Sequence, residues 1–250
     1  MDHNLYAYIL TIADNNLILG QRLSDLCGHG PTLETDIACT NIALDLLGQS
    51  RSYYQYAAEV EGAGRTEDDL AMLRKEREYL NALLVEQPNA DFGMIIMRQY
   101  LYDVYHFHLL QGLQSSSDER IKAIADKAIK EVSYHKRFSG DWVIRLGDGT
   151  AVSQEKMQNA LDTLWRYTKE FFLPNQAEES QKDAGVGPDL HSIEETYYKE
   201  VKACMETATL TVPDQVYFQK GGKEGIHSEH MGYLLSDLQY MQRTYPHMEW

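Results

Sequence analysis

A chain of 250 residues, 43% of them apolar, can bury a large core as one domain over 1–250 and is too apolar to be disordered. Its 23 Lys and Arg against 38 Asp and Glu leave a formal charge of −15, which argues against nucleic acid or an anionic membrane as the main partner and fits docking onto a more basic subunit. Cys27, Cys39 and Cys204 are scattered, without a CxxC, which argues against a disulfide framework and fits a reducing cytoplasm. The first residues lack the positive segment and apolar run of a signal peptide, and no apolar stretch approaches the roughly 20 residues that span a bilayer.

Helical periodicity dominates the chain. Leu5, Ile9, Ile12, Asn16, Leu19, Leu23 and Leu26 fall on one helix face, and Gly28, Gly30 and Pro31 end that helix. A second stripe runs through Leu33, Ile37, Thr40, Leu44, Leu47, Arg51 and Tyr54, closed by Gly62 and Gly64. The charged run from Thr66 to Glu86 reads as a more exposed third helix, broken by Pro88. Phe92, Ile96, Gln99, Asp103, Phe107, Leu110 and Leu113 make the fourth stripe. Ser117 reads as the N-cap of a fifth helix, whose stripe is Ile121, Ile124, Ala128, Val132, His135, Ser139, Trp142 and Leu146. A sixth helix is expected over Ser153 to Phe172, a polar loop over 174–188, and another helix from about Ser192 to Glu206. The segment of about 209–227, with Pro213 and Gly221-Gly222, reads as irregular, ahead of a last helix from about Ser228 to Arg243. Isolated Gly20, Gly48 and Gly93 inside helical patterns suggest close helix packing. Long helices with matching apolar stripes make an all-α helical bundle.

The chemistry sits in two damaged motifs, Asp103-Val104-Tyr105-His106 and Glu131-Val132-Ser133-Tyr134-His135. An acid three residues before a His is the unit with which helical bundles hold two irons or manganeses. Here Asp stands for Glu in the first copy, and Val132, which ligates nothing, stands three before His135 in the second. A working centre needs four carboxylates and two histidines from four helices, and the stripes supply one of each. The metal positions, Asp103 and His135, therefore read as vestigial. A buried polar cluster of Asn16, Arg51, Asp103 and His135 is expected in their place, with Arg51 or protonated His135 balancing the carboxylate. Asp45 is expected to point into the bundle or to pair with a neighbouring helix. The rival is an autonomous di-metal oxidase or oxygenase using Asp103, His106, Glu131 and His135, with Asp45 as a further ligand. Near the C-terminus, Lys220 and Lys223 with His227 and His230 suggest a loop that meets phosphates, such as those of coenzyme A, or an interface. No nucleophile elbow, Walker loop or GxGxxG precedes a helix.

Several stretches carry a family resemblance. They are Asn41-Ile42-Ala43-Leu44-Asp45-Leu46-Leu47-Gly48-Gln49, Leu84-Val85-Glu86-Gln87-Pro88-Asn89, and Ala128-Ile129-Lys130-Glu131 with Tyr134-His135 and Arg137-Phe138. The ending from Gly221-Gly222-Lys223 through His227, Glu229-His230 and Gln239-Tyr240 to Trp250 belongs with them. Nearly end to end, the chain resembles the structural, non-catalytic subunits of bacterial phenylacetyl-CoA epoxidases. The resemblance implies a ferritin-like four-helix bundle with additional helices. It implies a paralogous catalytic subunit that holds the di-iron centre and binds phenylacetyl-CoA, a small subunit, and a reductase carrying flavin and iron–sulfur that draws on NADPH. No cofactor is implied in this chain, which would stabilise the catalytic subunit in the cytoplasm during phenylacetate breakdown. Of the sister's ligands, the Asp falls on Asp103 and the last His on His135. The others fall on Val132, near Leu47 and Ser50, and near Asn16 or Leu17.

Overall fold

The structure, a computed structural model, describes residues 2–246 and 248, so Trp250 of the resemblance lies outside it. Among the described residues every regular element is helical. The long helices are α1 (His3–Ser24) and α2 (Leu33–Glu61), followed after the short α3 (Glu67–Met72) by α4 (Phe92–Leu113) and α5 (Glu119–Gly147). Each begins where an oxygen side chain takes up free backbone amides. Asp2 accepts from Asn4 and Leu5 at 3.0 Å, Thr32 makes a capping box with Thr35, and Asp91 accepts from Met94 at 2.9 Å. The cap of α5 is Asp118 and not Ser117, since its carboxylate reaches the Arg120 and Ile121 amides at 2.9 and 3.0 Å.

Helices α1 and α2 form one hairpin and α4 and α5 another, joined where α2 meets α5. This is the ferritin-like bundle with additional helices. Gly20 permits the α1–α2 approach, because a Cβ there would lie 3.2 Å from the Leu47 side chain and 3.4 Å from the Ala43 carbonyl. Gly48 has no such role, since a Cβ there would meet nothing. The second stripe is also corrected. The inward face of α2 carries Cys39, Ile42, Ala43, Leu46, Tyr53 and Tyr54, whereas Leu33, Ile37 and Leu44 are 72%, 51% and 61% exposed. Both faces of α2 bear apolar residues, so periodicity alone could not tell inside from outside.

The remaining chain forms a third layer. After α6 (Ala151–Leu164) the chain tightens into a 3-10 helix, Trp165–Phe172, so the sixth helix is α-helical only in its first part. The stretch read as a polar loop contains α7 (Gln176–Asp183), started by the Asn175–Glu178 capping box and docked on α1 through buried Ala177. α8 (Leu190–Thr207) and α6 pack on α4 and α5. The chain from 209 to 227 is irregular apart from the 3-10 turn Gly222–Glu224. The last helix is two, α9 (Glu229–Leu238) and α10 (Tyr240–Thr244), separated at Gln239.

The largest departure from expectation is the third helix. It stops at Met72, and after the 3-10 turn Glu76–Glu78 the chain runs non-helically through the interior, with Tyr79, Asn81, Ala82, Leu84, Val85 and Glu86 buried. Side chains supply hydrogen bonds that a helix would have made for itself. The Leu80 amide donates to Asp14 at 2.7 Å, that of Ala82 to Asn15 at 2.8 Å, and that of Leu83 to Glu170 at 2.7 Å. Buried Arg74 anchors the entry by pairing with Asp14, donating to the Glu78 carbonyl and stacking over the Tyr79 ring at 4.1 Å.

Candidate functional site

At the centre of the bundle, Asp103 is fully buried on α4. One of its oxygens accepts from Gln99 Nε2 at 2.7 Å and the other from Ser139 Oγ of α5 at 2.7 Å. Burial pushes the Asp103 carboxyl up to about 7, with His135 pulling the other way. His135, also fully buried, turns its Nε2 to Asp45 on α2 at 3.0 Å. Asp45 thus pairs with the neighbouring helix. Asn16 on α1 accepts from the Tyr102 hydroxyl at 2.7 Å. His106, one turn beyond Asp103, packs against the Tyr102 ring at 5.1 Å, and neither ring nitrogen has a protein partner. Burial, reinforced by His135, pushes the His106 imidazole down to about 3.

Of the expected polar cluster, Asn16, Asp103 and His135 are inside, and Arg51 is not. Its side chain is 70% exposed and pairs with Glu67 at 3.2 Å, because it belongs to the outward face of α2. A neutral carboxyl is the cheaper solution in a site without a nearby guanidinium, which agrees with the raised pKa of Asp103.

The donor set does not fit two irons. Asn16 and Val132 offer no carboxylate, both Asp103 oxygens are engaged, and His135 presents Nε2 to Asp45. The rival ligand set is split as well. Glu131 lines an open groove with Asp45 and accepts from Gln49 at 2.8 Å, while Asp103 and His106 are sealed inside. Among the described residues, no group of three or more His, Cys, Asp and Glu is arranged to hold an ion.

The C-terminal loop is not a phosphate clamp. Lys223 is buried, and its Nζ binds Glu178 at 2.7 Å. The Gly221 and Gly222 amides, which could have cradled an anion, already donate to Glu170 at 2.7 and 2.8 Å. His227 bridges Glu86 at 3.0 Å and the Tyr79 carbonyl at 2.9 Å. Burial works against its charge, but Glu86, the Tyr79 carbonyl and Asp14 together outweigh burial and hold its pKa above the ordinary value. The His230 carbonyl accepts from Arg22, and Lys220 alone of the four stands exposed. The loop fastens the C-terminal segment over the buried strap of residues 79–89.

Sequence reasoning missed the residues that receive this strap: Asp14, Asn15, Arg74 and Glu170. A signal was present in Asp14-Asn15-Asn16, three consecutive polar residues in an apolar helix, all buried. It also missed the groove between α2 and α5. The two helices run antiparallel, with Asp45 beside His135, Gln49 beside Glu131 and Tyr56 beside Asp118. Their outer surface holds a groove of about 480 Å³.

The family model described as phenylacetic acid catabolic protein matches residues 1–250. The chain is 46% identical over 248 residues to the C subunit of the 1,2-phenylacetyl-CoA epoxidase of Escherichia coli (strain K12). The match covers 99% of this chain and 100% of that relative.

Proposed function

The chain belongs to the phenylacetic acid catabolic protein family, and from that premise we propose that it is the structural subunit of a phenylacetyl-CoA epoxidase, a multicomponent monooxygenase. Its role is to pair with and stabilise a paralogous catalytic subunit. Di-iron chemistry, held by that partner, inserts one oxygen atom into the aromatic ring to give the epoxide. A separate reductase with flavin and iron–sulfur would bring electrons from NADPH, and the assembly includes a further, small subunit. CoA thioesters and NADPH are cytoplasmic reagents, so the complex is proposed to work there.

One observation carries the non-catalytic role: the bundle that suits a di-metal centre in this fold is filled here by a carboxyl tied to Gln99 and Ser139, with Val132 in a ligand position. Within this chain, Asp103, His135 and Asp45 tie α4, α5 and α2 together. They act on the shape of the subunit and touch no substrate. The test is the iron content of the chain purified alone from iron-supplemented cells. Iron well below one atom per chain is the expected result. About two irons per chain, lost on Asp103→Ala, would overturn the reading. No helix of the described residues is long and apolar enough to cross a membrane, as the proposal requires of a chain acting outside the bilayer.

A further inference from the structure

The C-terminal segment closes over the strap at a few points, and one of them carries charge. Gly222 and Gly225 let it approach closely, since a Cβ on Gly222 would lie 2.2 Å from the Asn81 carbonyl oxygen and one on Gly225 2.4 Å from that of Arg77. Just beyond them, the side chains of His227 and Glu86 are both fully buried. His227 turns Nδ1 to Glu86 Oε2 at 3.0 Å and Nε2 to the Tyr79 carbonyl oxygen at 2.9 Å. A carbonyl oxygen only accepts, and so does an ionised carboxylate. That carboxylate also accepts from the Ser228 amide at 2.6 Å on Oε1 and from Asn81 Nδ2 at 3.2 Å on Oε2. A neutral imidazole has one N–H and meets only one of its two acceptors, whereas the imidazolium meets both.

We infer that His227 is an imidazolium in the folded chain and serves as a pH-sensitive latch, which holds the segment from Ile226 through α9 against the strap while protonated and releases it when the proton leaves. Without the proton, a lone pair of Nδ1 faces Oε2 and Glu86 is buried with no counter-charge, the costly state of a broken buried ion pair. The other charged groups nearby are already engaged. On α1, Asp14 is held by Arg74, and Arg22 donates to the backbone carbonyls of Glu86 at 2.8 Å and His230 at 3.2 Å. On the 3-10 helix, Glu170 takes the Leu83, Gly221 and Gly222 amides, and burial raises the Tyr167 phenol, which stays neutral. On the segment itself, Lys223 pairs with Glu178, and Glu224 and Glu229 are exposed. Burial lowers the His227 pKa, and Glu86, the Tyr79 carbonyl and Asp14 raise it by more, so it ends above the ordinary 6.5. The stabilisation is therefore complete below 6.5 and is lost as pH rises through the folded pKa.

The test uses the full chain. Nitrogen NMR of the labelled imidazole is expected to find a proton on both ring nitrogens of His227 at about pH 6. Hydrogen exchange over residues 228–238, corrected for the intrinsic rate, is expected to show protection that declines progressively from about pH 6.5 to about pH 9. Glu86→Gln makes the same latch without charge: its carboxamide keeps an oxygen for the Ser228 amide and turns an N–H to Nδ1 of a neutral His227, whose Nε2–H stays on Tyr79. This variant is expected to hold the segment equally at both ends of that range. His227→Phe, which meets neither acceptor, is expected to lose protection at every pH. The latch is overturned by an Nδ1 without a proton at about pH 6, by wild-type protection that ignores pH over the range, or by a decline in Glu86→Gln as steep as the wild type's. The two wild-type readings decide it by themselves where a variant does not fold.

Discussion

The two sides of this bundle solve the same problem in opposite ways. On the α1 side, a strap of polar backbone is buried and its needs are met from within: Asp14, Asn15 and Glu170 receive its amides, and Arg74, Lys223 and His227 balance buried carboxylates. On the α2–α5 side, apolar residues are left on the surface and the polar rungs are few. The first side meets its buried polar groups from within the chain, and the second leaves apolar side chains exposed.

The sharpest way to break this comparison is at Asp14. Asp14→Ala leaves the Arg74 guanidinium buried without its carboxylate and releases the Leu80 amide. A loss of about 3–5 kcal/mol in urea unfolding is expected. A loss below about 1 kcal/mol would mean that the strap is not what holds this side together.

Between the two sides, Asp103 and His106 should titrate against each other. The Asp103 carboxyl is raised to about 7 in the folded chain from an ordinary 3.8, so the folded state keeps its proton longer. Its contribution is most favourable at acid pH and declines as pH rises from about 4 to about 7. His106 is lowered to about 3 from 6.5, so its contribution is present above 6.5 and is lost as pH falls toward 3. Across pH 4–6.5 the two slopes oppose, and single variants should unmask them. Asp103→Asn is expected to gain about 2–4 kcal/mol over the wild type at pH 7.5, and nothing at pH 4. His106→Phe is expected to gain about 2–3 kcal/mol at pH 4.5 beyond its difference at pH 7.5. Differences that do not change with pH would mean that neither group titrates as its burial implies.

Two glycines give the smallest and most symmetrical contrast. A Cβ on Gly222 would lie 2.2 Å from the Asn81 carbonyl oxygen and 2.9 Å from the Leu83 amide, so Gly222→Ala should lose about 1–3 kcal/mol as the strap is displaced. Gly48→Ala, in open space on a helix, should gain about 0.5–1 kcal/mol. Equal effects of the same sign in thermal unfolding would erase the distinction between a closed and an open side.

Much of this was legible from spacing. The stripe of α5 follows the residues the structure buries because that helix has one apolar face around Val132, while α1 and α4 carry their stripes inside but are buried on every side over Tyr8–Gly20 and Ile95–His106. The placing of Asp103 and His135 inside followed from the same stripes. What failed did so where local pattern carries no directional information. On α2, two apolar faces compete, and the chain packs the face of Cys39, Leu46 and Tyr53 inward, which puts Arg51 outside. The Tyr79–Asn89 segment is charged and polar at its edges, and its burial depends on acceptors roughly 60 to 90 residues away, at Asp14 and Glu170. Lys223 looked free because its partner, Glu178, lies on α7, a helix too short and polar to show a stripe.

The central claim is that the interior of this chain shapes the subunit and takes no part in the chemistry. It is tested most directly by turnover per assembled complex, measured after reconstituting the epoxidase with the double variant Asp103→Asn, His106→Phe. The account predicts a rate within about twofold of wild type once the amount of assembled complex is matched. A fully assembled complex that loses turnover by about a hundredfold or more would contradict it and make those residues part of the catalytic machinery.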